Sequence, residues 1–384
     1  MHTIGLLLPR STYYTGISFD LFEGLKSALH HLGASGEIRI VTENIGFGTD
    51  KQQCYKGAEQ LIMHENATIV FAYIGHRMAQ VLRPLFLAAN RLLVVMDAGA
   101  NLPHEWPESP NIIYHSLHNA FGSWLTAKRA VRDGYTNGGM VTGYYDAGYL
   151  QTWGISNGFN QGGGTVMFNH ATGFQEVDFT MEPLKQHLEQ FPDSALLSLF
   201  SGDYVQWYFQ GLKNVFGEHD LPIYLPPFAL EESMLQQAAY PGSKAKGIAA
   251  WSKQLDNDAN RLFIETLEAS GRTPNLFSLL GWESAFIAVR LTALLKEHSG
   301  NIQLASEGIN DFSFESPRGT VEFHPGSRHS IAPLYNVVIK NNGDDRCKLS
   351  VESAVTGTGS EYEAFINQPT ENAISGWYNS YTCI

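Results

Sequence analysis

Short apolar runs alternate with longer segments of helical periodicity through most of the chain. Strand-like runs occupy 3–9, 68–74 and 92–98 ("TIGLLLP", "TIVFAYI", "LLVVMDA"). Between the first two, residues 17–33 carry apolar side chains at i, i+4 and i+8, and Gly33 provides a stop signal. This alternation is typical of βαβ units, and it predicts an α/β fold with a parallel sheet.

The same rhythm starts again near residue 138 and gives way to a helical section. Strand-like runs such as "GGMVTGYY", "ALLSLFS" and "LPIYLPP" are separated by helical patterns, which predicts a second α/β unit. Residues 251–298 are strongly helical in pattern. After them, 319–325 and 332–343 are predicted strands joined by a turn at Pro325–Gly326. The segment 341–384 is rich in Gly, Ser, Thr and Asn and supports no prediction.

Length and composition restrict the class of protein. A chain of 384 residues exceeds what one hydrophobic core usually serves, so two lobes are expected. The content of 43 % hydrophobic and 16 % charged residues is typical of a globular protein. The net charge of −13, without a basic cluster, argues against a nucleic-acid partner. No apolar run approaches the roughly 20 residues that span a bilayer, so membrane insertion is not expected.

The start of the chain and its cysteines leave alternatives open. "MHTIGLLLPRSTYY" lacks the basic region and long apolar core of a signal peptide, and it predicts a first β-strand. Either the protein is cytoplasmic, or a leader has been removed. Cys54, Cys347 and Cys383 match no zinc or redox spacing. A Cys347–Cys383 disulfide and three free thiols are equally compatible with the sequence. No metal or other cofactor is predicted.

One short motif resembles a catalytic signature. Residues Gly154–Gly158 read G-x-S-x-G, the pattern of a nucleophile elbow, which requires the serine on a sharp strand-to-helix turn. The surrounding spacing is helical and places Ser156 inside or late in a helix. A serine hydrolase is therefore the least favoured alternative, and the chain is not expected to be an enzyme.

The loops that follow the predicted strands hold the candidate binding residues. In open parallel sheets, ligands bind beyond the carboxyl ends of the strands. The loops 10–16, 74–78, 97–103, 144–148 and 200–204 combine small residues and tyrosines with charged or hydrogen-bonding groups. Asp97 and Asp146, taken singly, are better explained as helix N-caps. Because such residues recur at equivalent strand ends, the set predicts a site for a small polar organic ligand.

The order of these segments resembles the type I periplasmic binding proteins, in particular the branched-chain amino-acid receptors of ABC transporters. "IGLLLPRSTYYTGISFDLFEGLKSAL" is similar to the opening strand, loop and helix of that family. "GAEQLIMHENATIVFAYIGHRMAQVLRPLF" is similar to its second helix, third strand and main ligand loop. The resemblance extends over about residues 3–340 and rests on layout more than on strict motifs.

This resemblance implies two Rossmann-like lobes that are joined by three crossovers and close on a ligand by hinge motion. Lobe 1 would comprise 1–118 and 251–325, and lobe 2 would comprise 119–250 and 326–384. The partners would be a small polar organic ligand and the permease subunits of an ABC importer, in an extracytoplasmic location. From the residues and the resemblance together, the predicted ligand-binding residues are Tyr14, Tyr73, Gly75, His76, Arg77, Gly99, Asn101, Tyr145, Asp146, Ser201, Asp203 and Phe228.

The sequence departs from the family pattern at positions that would contact the ligand. Gly75–His76 stands where the family has a Ser/Thr pair, and Asn101 stands where it has a threonine. The acidic residue that usually meets an amino group falls at Pro227 or Phe228, so an amide or carboxylate fits as well as an amino acid. The loop Tyr73-x-Gly75-His76 is also similar to that of cytoplasmic amide-sensing regulators. A regulatory protein partner in the cytoplasm is the alternative function.

Overall fold

The computed structural model describes residues 1–101, 109–217, 219–243, 245–369, 373, 379 and 381–382. Its first β-sheet has five parallel strands in the order β2-β1-β3-β4-β5. These strands are β1 (His2–Leu8), β2 (Ile38–Asn44), β3 (Ile69–Tyr73), β4 (Leu92–Asp97) and β5 (Ile112–Ser116). The intervening helices are α1 (Ile17–His31), α2 (Lys51–Glu59, extended by a π-helical turn at Gln60–His64) and α3 (His76–Ala88).

Side chains of the first sheet alternate between two apolar layers. In β3, Ile69, Phe71 and Tyr73 pack on the α1 side, whereas Val70 and Ala72 pack on the α2 and α3 side. Successive side chains of a strand point to opposite faces, so a sheet covered on both faces requires a continuous apolar run. This explains why "TIVFAYI" is uniformly apolar.

The second sheet begins with five parallel strands. They are β6 (Asn137–Thr142), β7 (Thr165–Ala171), β8 (Ala195–Leu199), β9 (Ile223–Leu225) and β10 (Lys246–Ala249). The helices in this part of the chain are α4 (Asn119–Arg132), α5 (Gln151–Gln161), α6 (Glu182–Gln190), α7 (Asp203–Phe216) and α8 (Glu232–Leu235). The predicted α/β architecture with parallel sheets is confirmed. β5 and β10 were not predicted.

After β10 the chain returns to the first sheet through helices. These are α9 (Asp258–Ala269), α10 (Leu276–Glu297) and α11 (Ile302–Glu307), followed by a small antiparallel sheet of β11 (Phe314–Ser316), β12 (Gly319–Phe323) and β13 (Ser330–Ile331). Helix α10 packs closely on α1. A Cβ atom added at Gly281 would lie 2.1 Å from the Leu21 carbonyl oxygen, so this crossing requires glycine.

Helix α10 is, among the described residues, the one helix long and apolar enough to cross a membrane. Its most apolar window has a mean hydropathy of 1.4, and 78 % of that window is buried inside the fold. Glu283 and Arg290 interrupt the apolar sequence of this helix. Its burial is typical of a core helix, and one such helix is weak evidence for a membrane span.

The last described elements complete the second sheet. β14 (Tyr335–Asn341) pairs antiparallel with β10, and β15 (Cys347–Ala354) pairs antiparallel with β14, before α12 (Thr358–Ile366) packs on α4. The sheet order is β15-β14-β10-β9-β8-β6-β7. The prediction that a turn at Pro325–Gly326 joins the strands at 319–325 and 332–343 is wrong. That turn leads from β12 to β13, and a further loop leads to β14.

The G-x-S-x-G motif lies in helix α5, as predicted, and its glycines have a packing role. A Cβ at Gly154 would lie 2.5 Å from the Ala120 carbonyl oxygen, and one at Gly158 would lie 2.5 Å from the Trp124 carbonyl oxygen. Helices α4 and α5 can approach this closely only because both positions lack side chains. The Ser156 hydroxyl lies 3.5 Å from the Met140 sulfur and is not on a strand-to-helix turn.

We predict that Gly158→Ala lowers the free energy of unfolding by about 3 kcal/mol, because the new methyl group would overlap the α4 backbone. Urea denaturation measures this. Gly359→Ala is the matched control, since this helical glycine has open space around it and the substitution there should be neutral or slightly stabilising. Equal stability of Gly158→Ala and wild type would contradict this account of the motif.

Candidate ligand-binding site

Loops that follow strands of both sheets meet in one buried region between the two lobes. Tyr14 lies in the loop after β1, and its hydroxyl accepts a hydrogen bond of 3.0 Å from the backbone N–H of Gly202, which follows β8. The neighbouring Tyr13 packs edge-on against Tyr145, from the loop after β6, with ring centroids 5.6 Å apart. The two lobes therefore contact each other directly through these loops.

Aromatic rings form one side of this buried region. Phe228 follows β9 and is 1 % exposed, and its ring centroid is 6.3 Å from that of Tyr14. Phe277, in the first turn of α10, lies 4.9 Å from Tyr14 and 5.9 Å from Tyr73. The structure thus brings the predicted residues Tyr14, Tyr73 and Phe228 together around Phe277, which the sequence analysis did not identify.

Amide and carboxylate side chains form a second side of the buried region. Gln151, at the start of α5, donates from Nε2 to Asp146 Oδ1 at 2.7 Å, and Ser201 Oγ donates to Asp146 Oδ2 at 3.1 Å. Asn119, at the start of α4, donates to Gln151 Oε1. Asp146 and Ser201 were predicted. Asn119 and Gln151 were missed, because their proximity depends on the packing of α4 against α5.

Burial alters the protonation of the acids around this site. Burial raises the pKa of Asp146 to about 7, although Gln151 and Ser201 stabilise the ionised form. Burial likewise raises the pKa of Glu231 to about 7. Glu231 caps α8 through the N–H of Met234, and its Oε1 has no hydrogen-bond partner among the described residues. It lies three residues beyond Phe228 and was not identified from the sequence.

Tyr381 and Asn379 lie in the same buried region. Tyr381 is 1 % exposed, and its ring stacks on Phe228 at a centroid distance of 3.8 Å and an interplanar angle of 4°. Its hydroxyl lies 2.5 Å from Gln151 Oε1. Asn379 is also buried, and its Nδ2 donates to the carbonyl oxygen of Tyr73 at 3.0 Å.

The candidate residues in the loop after β3 have different environments. Gly75 has an extended backbone and immediately precedes α3. His76 is buried, with Nε2 2.9 Å from Asp97 Oδ2 and its ring 4.5 Å from that of Tyr114. Asp97 therefore pairs with His76 and does not cap a helix by a described contact. Arg77 is half-buried in the first turn of α3.

The remaining candidates, Gly99, Asn101 and Asp203, differ in burial and in their contacts. Gly99 has φ +77°, and a Cβ there would lie 2.3 Å from the backbone nitrogen of His118, so the position requires glycine. Asn101 is half-buried, and its Nδ2 has no partner among the described residues. Asp203 is exposed at the start of α7. Part of the loop 97–103, namely 102 and 103, lies outside the described residues.

A charged network joins α10, β5 and the turn between β11 and β12. Glu283 Oε1 accepts from Arg318 Nε at 2.8 Å, and Glu283 Oε2 lies 3.1 Å from His115 Nε2. All three side chains are at most 1 % exposed. Arg318 and His115 lower the pKa of Glu283 to about 2 against the opposing effect of burial, so this carboxylate is ionised at neutral pH.

The cysteines and possible metal ligands add nothing to this site within the described part of the chain. Cys54 and Cys347 are buried, and the Cys347 thiol lies 3.5 Å from the Ala239 carbonyl oxygen. Cys383 lies outside the described residues, and the possible Cys347–Cys383 disulfide does so too. No group of three His, Cys, Asp or Glu side chains suited to a metal occurs among the described residues.

Loops of the two α/β lobes thus meet in a buried cluster of rings, amides and carboxyl groups, the mixture of groups that is typical of small-molecule sites. The sequence matches the periplasmic binding protein family over residues 2–344, and the chain belongs to that family. The resemblance found in the sequence and the receptor class that it implied are thereby confirmed. A comparison with curated proteins gave no significant match.

Solved structures show the same fold at low sequence identity. An ABC transporter substrate-binding protein from Sphaerobacter thermophilus is 18 % identical, with a TM-score of 0.79 over 92 % of this chain and 97 % of that chain. A solute-binding protein from Rhodopseudomonas palustris HaA2, in complex with p-hydroxybenzoic acid, is 16 % identical, with a TM-score of 0.76 over 92 % and 96 %. A leucine-binding protein from Thermotoga maritima is 14 % identical, with a TM-score of 0.66 over 94 % and 100 %.

We predict that Glu283→Gln lowers the free energy of unfolding by about 3–5 kcal/mol at pH 7, because it leaves the Arg318 charge buried beside a neutral amide. Chemical denaturation measures the loss. Asp256→Asn is the control, since Asp256 pairs with Arg261 but is 95 % exposed and should contribute little. Similar small effects for both variants would contradict the role assigned to the buried network.

We predict that Asp146→Asn changes the pH dependence of stability. Because the pKa of Asp146 is raised in the folded state to about 7, the native protein binds more protons than the unfolded chain between about pH 4 and 7. The contribution of Asp146 is therefore greatest at about pH 4 and is lost as the pH rises toward 7.

Denaturation of wild type and Asp146→Asn across this pH range gives the difference in stability, which should shift in favour of the variant with rising pH. The exposed Asp178 provides the control for removal of a carboxylate, and Asp178→Asn should have nearly the stability of wild type at pH 7. A difference between Asp146→Asn and wild type that does not change with pH would contradict the raised pKa of Asp146.

Proposed function

We propose that this protein is the solute-binding receptor of an ABC importer and that its ligand is a small aromatic carboxylate. One observation carries the proposal: rings and hydrogen-bonding side chains from both lobes meet in the same buried region. Tyr14, Phe228 and Phe277 supply apolar area, and Asn119 and Gln151 supply directional contacts. Ligand sites in proteins combine such apolar walls with a few placed polar groups.

The acids in the cleft favour this ligand class over an α-amino acid. An ammonium group is best held by an ionised carboxylate with free lone pairs. Both oxygens of Asp146 already accept hydrogen bonds from the protein, and its pKa is raised to about 7. An aromatic ring with hydroxyl or carboxyl groups needs no ionised acid from the second lobe. The p-hydroxybenzoic acid complex of the Rhodopseudomonas protein provides a precedent within the same fold.

The carboxylate of the ligand would be held by the first lobe. Helix α3 begins at His76, directly after β3, and the N–H groups of a first helical turn lack intrahelical partners and attract anions. Arg77 adds a positive charge in the same turn. The loop that contains Gly99 and Asn101 follows the adjacent strand β4, and we assign its polar groups to the same end of the ligand.

The permease subunits of the importer would recognise the closed form of the receptor. In that form both lobes present one continuous surface, which the contact between Tyr14 and Gly202 helps to hold together. The proposal places the mature protein outside the cytoplasm, where the binding proteins of its family act. Permease and ATPase genes beside the gene would support this role, whereas a neighbouring transcription regulator or antiterminator would support the amide-sensor alternative.

The proposal predicts ligand-dependent stabilisation. A thermal-shift screen at millimolar concentration should include 4-hydroxybenzoate, benzoate, leucine, acetamide and urea. A ligand present at 100 times its Kd adds about 2.7 kcal/mol to stability. We expect the aromatic carboxylates to raise Tm and leucine to leave it unchanged, and titration calorimetry should give one site per chain. Stabilisation by leucine or urea alone would overturn the assigned ligand class.

Variants locate the two ends of the ligand. Phe228→Ala should weaken 4-hydroxybenzoate binding by about tenfold or more, because a buried ring contact is lost. Phe19→Ala is the control, since Phe19 is 61 % exposed on α1. Arg77→Ala should weaken binding of 4-hydroxybenzoate but not of the neutral 4-hydroxybenzamide. Unchanged binding of the carboxylate by Arg77→Ala would show that the anion site is placed wrongly.

A further inference from the structure

Tyr381 makes contacts that a captured ligand would be expected to make. Its aromatic ring lies flat on Phe228 and 5.3 Å from the tilted ring of Tyr149, and the side chain is 1 % exposed. Its hydroxyl lies 2.5 Å from Gln151 Oε1, to which it can donate, and it accepts from Asn119 Nδ2. The phenol group therefore has its apolar faces covered and both hydrogen-bonding capacities used.

The backbone around Tyr381 is bound by both lobes. Ser11 Oγ, from the loop after β1, donates to the Tyr381 carbonyl oxygen at 3.0 Å. From the second lobe, the Tyr149 hydroxyl accepts from the Tyr381 N–H at 3.0 Å. Thr382 Oγ1 donates to the Phe47 carbonyl oxygen at 3.0 Å on the side of the first lobe. Contacts with both lobes at once are what stabilise the closed form of such a receptor.

We infer that Phe228, Tyr149, Asn119 and Gln151 form a binding subsite for a phenol ring, and that Tyr381 occupies this subsite as a tethered competitor of the transported ligand. The inference rests on the proposed function of the cleft as the ligand site. It deepens that function in two respects. The ligand would carry a hydroxyl group on its ring, and it would have to displace Tyr381 before the lobes could close on it.

Tethering makes the competition effective but reversible. An attached occupant acts at a high effective concentration, so even a weak intrinsic affinity fills the subsite. Tyr381 has φ +62°, a left-handed conformation that costs a non-glycine residue free energy and opposes its insertion. If Tyr381 occupies the subsite in about 90 % of molecules, the apparent Kd of the ligand is about ten times its intrinsic value.

Complementation of a truncated side chain tests the subsite. Tyr381→Ala removes the atoms of a phenol, so added phenol should raise the Tm of this variant and leave wild type almost unchanged. Benzene should have a smaller effect, because it lacks the group that meets Gln151 and Asn119. Tyr55→Ala is the matched control, since Tyr55 is 40 % exposed on α2. If phenol stabilises Tyr381→Ala no more than wild type, the subsite does not exist.

Calorimetry with 4-hydroxybenzoate tests the competition. Tyr381→Ala should bind it about tenfold more tightly than wild type, and Tyr55→Ala should equal wild type. If Tyr381→Ala does not fold, Tyr381→Phe keeps the ring but loses the hydroxyl contacts, and it should also bind more tightly than wild type. Equal affinities of wild type and the folded Tyr381 variants would overturn the competition.

These results separate the inference from the proposed function. Binding of 4-hydroxybenzoate with equal affinity by wild type and the Tyr381 variants would support the receptor function and refute tethered competition. Binding of phenol by Tyr381→Ala, without binding of 4-hydroxybenzoate by any variant, would support the phenol subsite and refute the aromatic carboxylate as the transported ligand.

Discussion

The buried carboxylate of Glu283 is the interaction that joins α10 to the first sheet and to the small antiparallel sheet. It lies on α10, and it holds Arg318 from the turn before β12 and His115 from β5. Arg318 also donates to the carbonyl oxygen of Ser116, the residue at which β5 ends. These elements adjoin the points where the chain passes between the sheets. An ion pair with its hydrogen bonds satisfied in this position fixes their relative orientation, because separating the charges inside the protein is costly.

The side chains of the candidate site are positioned by the packing of helices. Close packing of α10 on α1, which Gly281 permits, sets the first turn of α10 beside the loop after β1. Phe277 and Tyr14 therefore meet. In the second lobe, close packing of α4 on α5 brings Asn119 to Gln151. The site is thus assembled at the ends of helices whose spacing is set by glycine. Its side chains are positioned by the scaffold and need no long loops to reach each other.

Periodicity was sufficient for most of the parallel strands and insufficient for the site. β3 was predictable because both of its faces are covered, which produces an unbroken apolar run, whereas four residues of β10 carry too little pattern. Resemblance to a known family pointed to the loops that hold Tyr14, Asp146 and Phe228. Asn119, Gln151 and Tyr381 were missed because their roles come from contacts between residues 30 to 260 positions apart, and local sequence does not encode such contacts.

A receptor that holds part of its own chain in the cleft responds to concentration differently from an open one. Scarce solute would leave the tethered tyrosine in place, and solute would be captured efficiently only once its concentration is high enough to displace it. The closed shape would then no longer report that cargo is present, so a transporter that engages closed receptors would need a further difference between the two closed forms. Asn379 and Tyr381, which contact both lobes, are where that difference would arise.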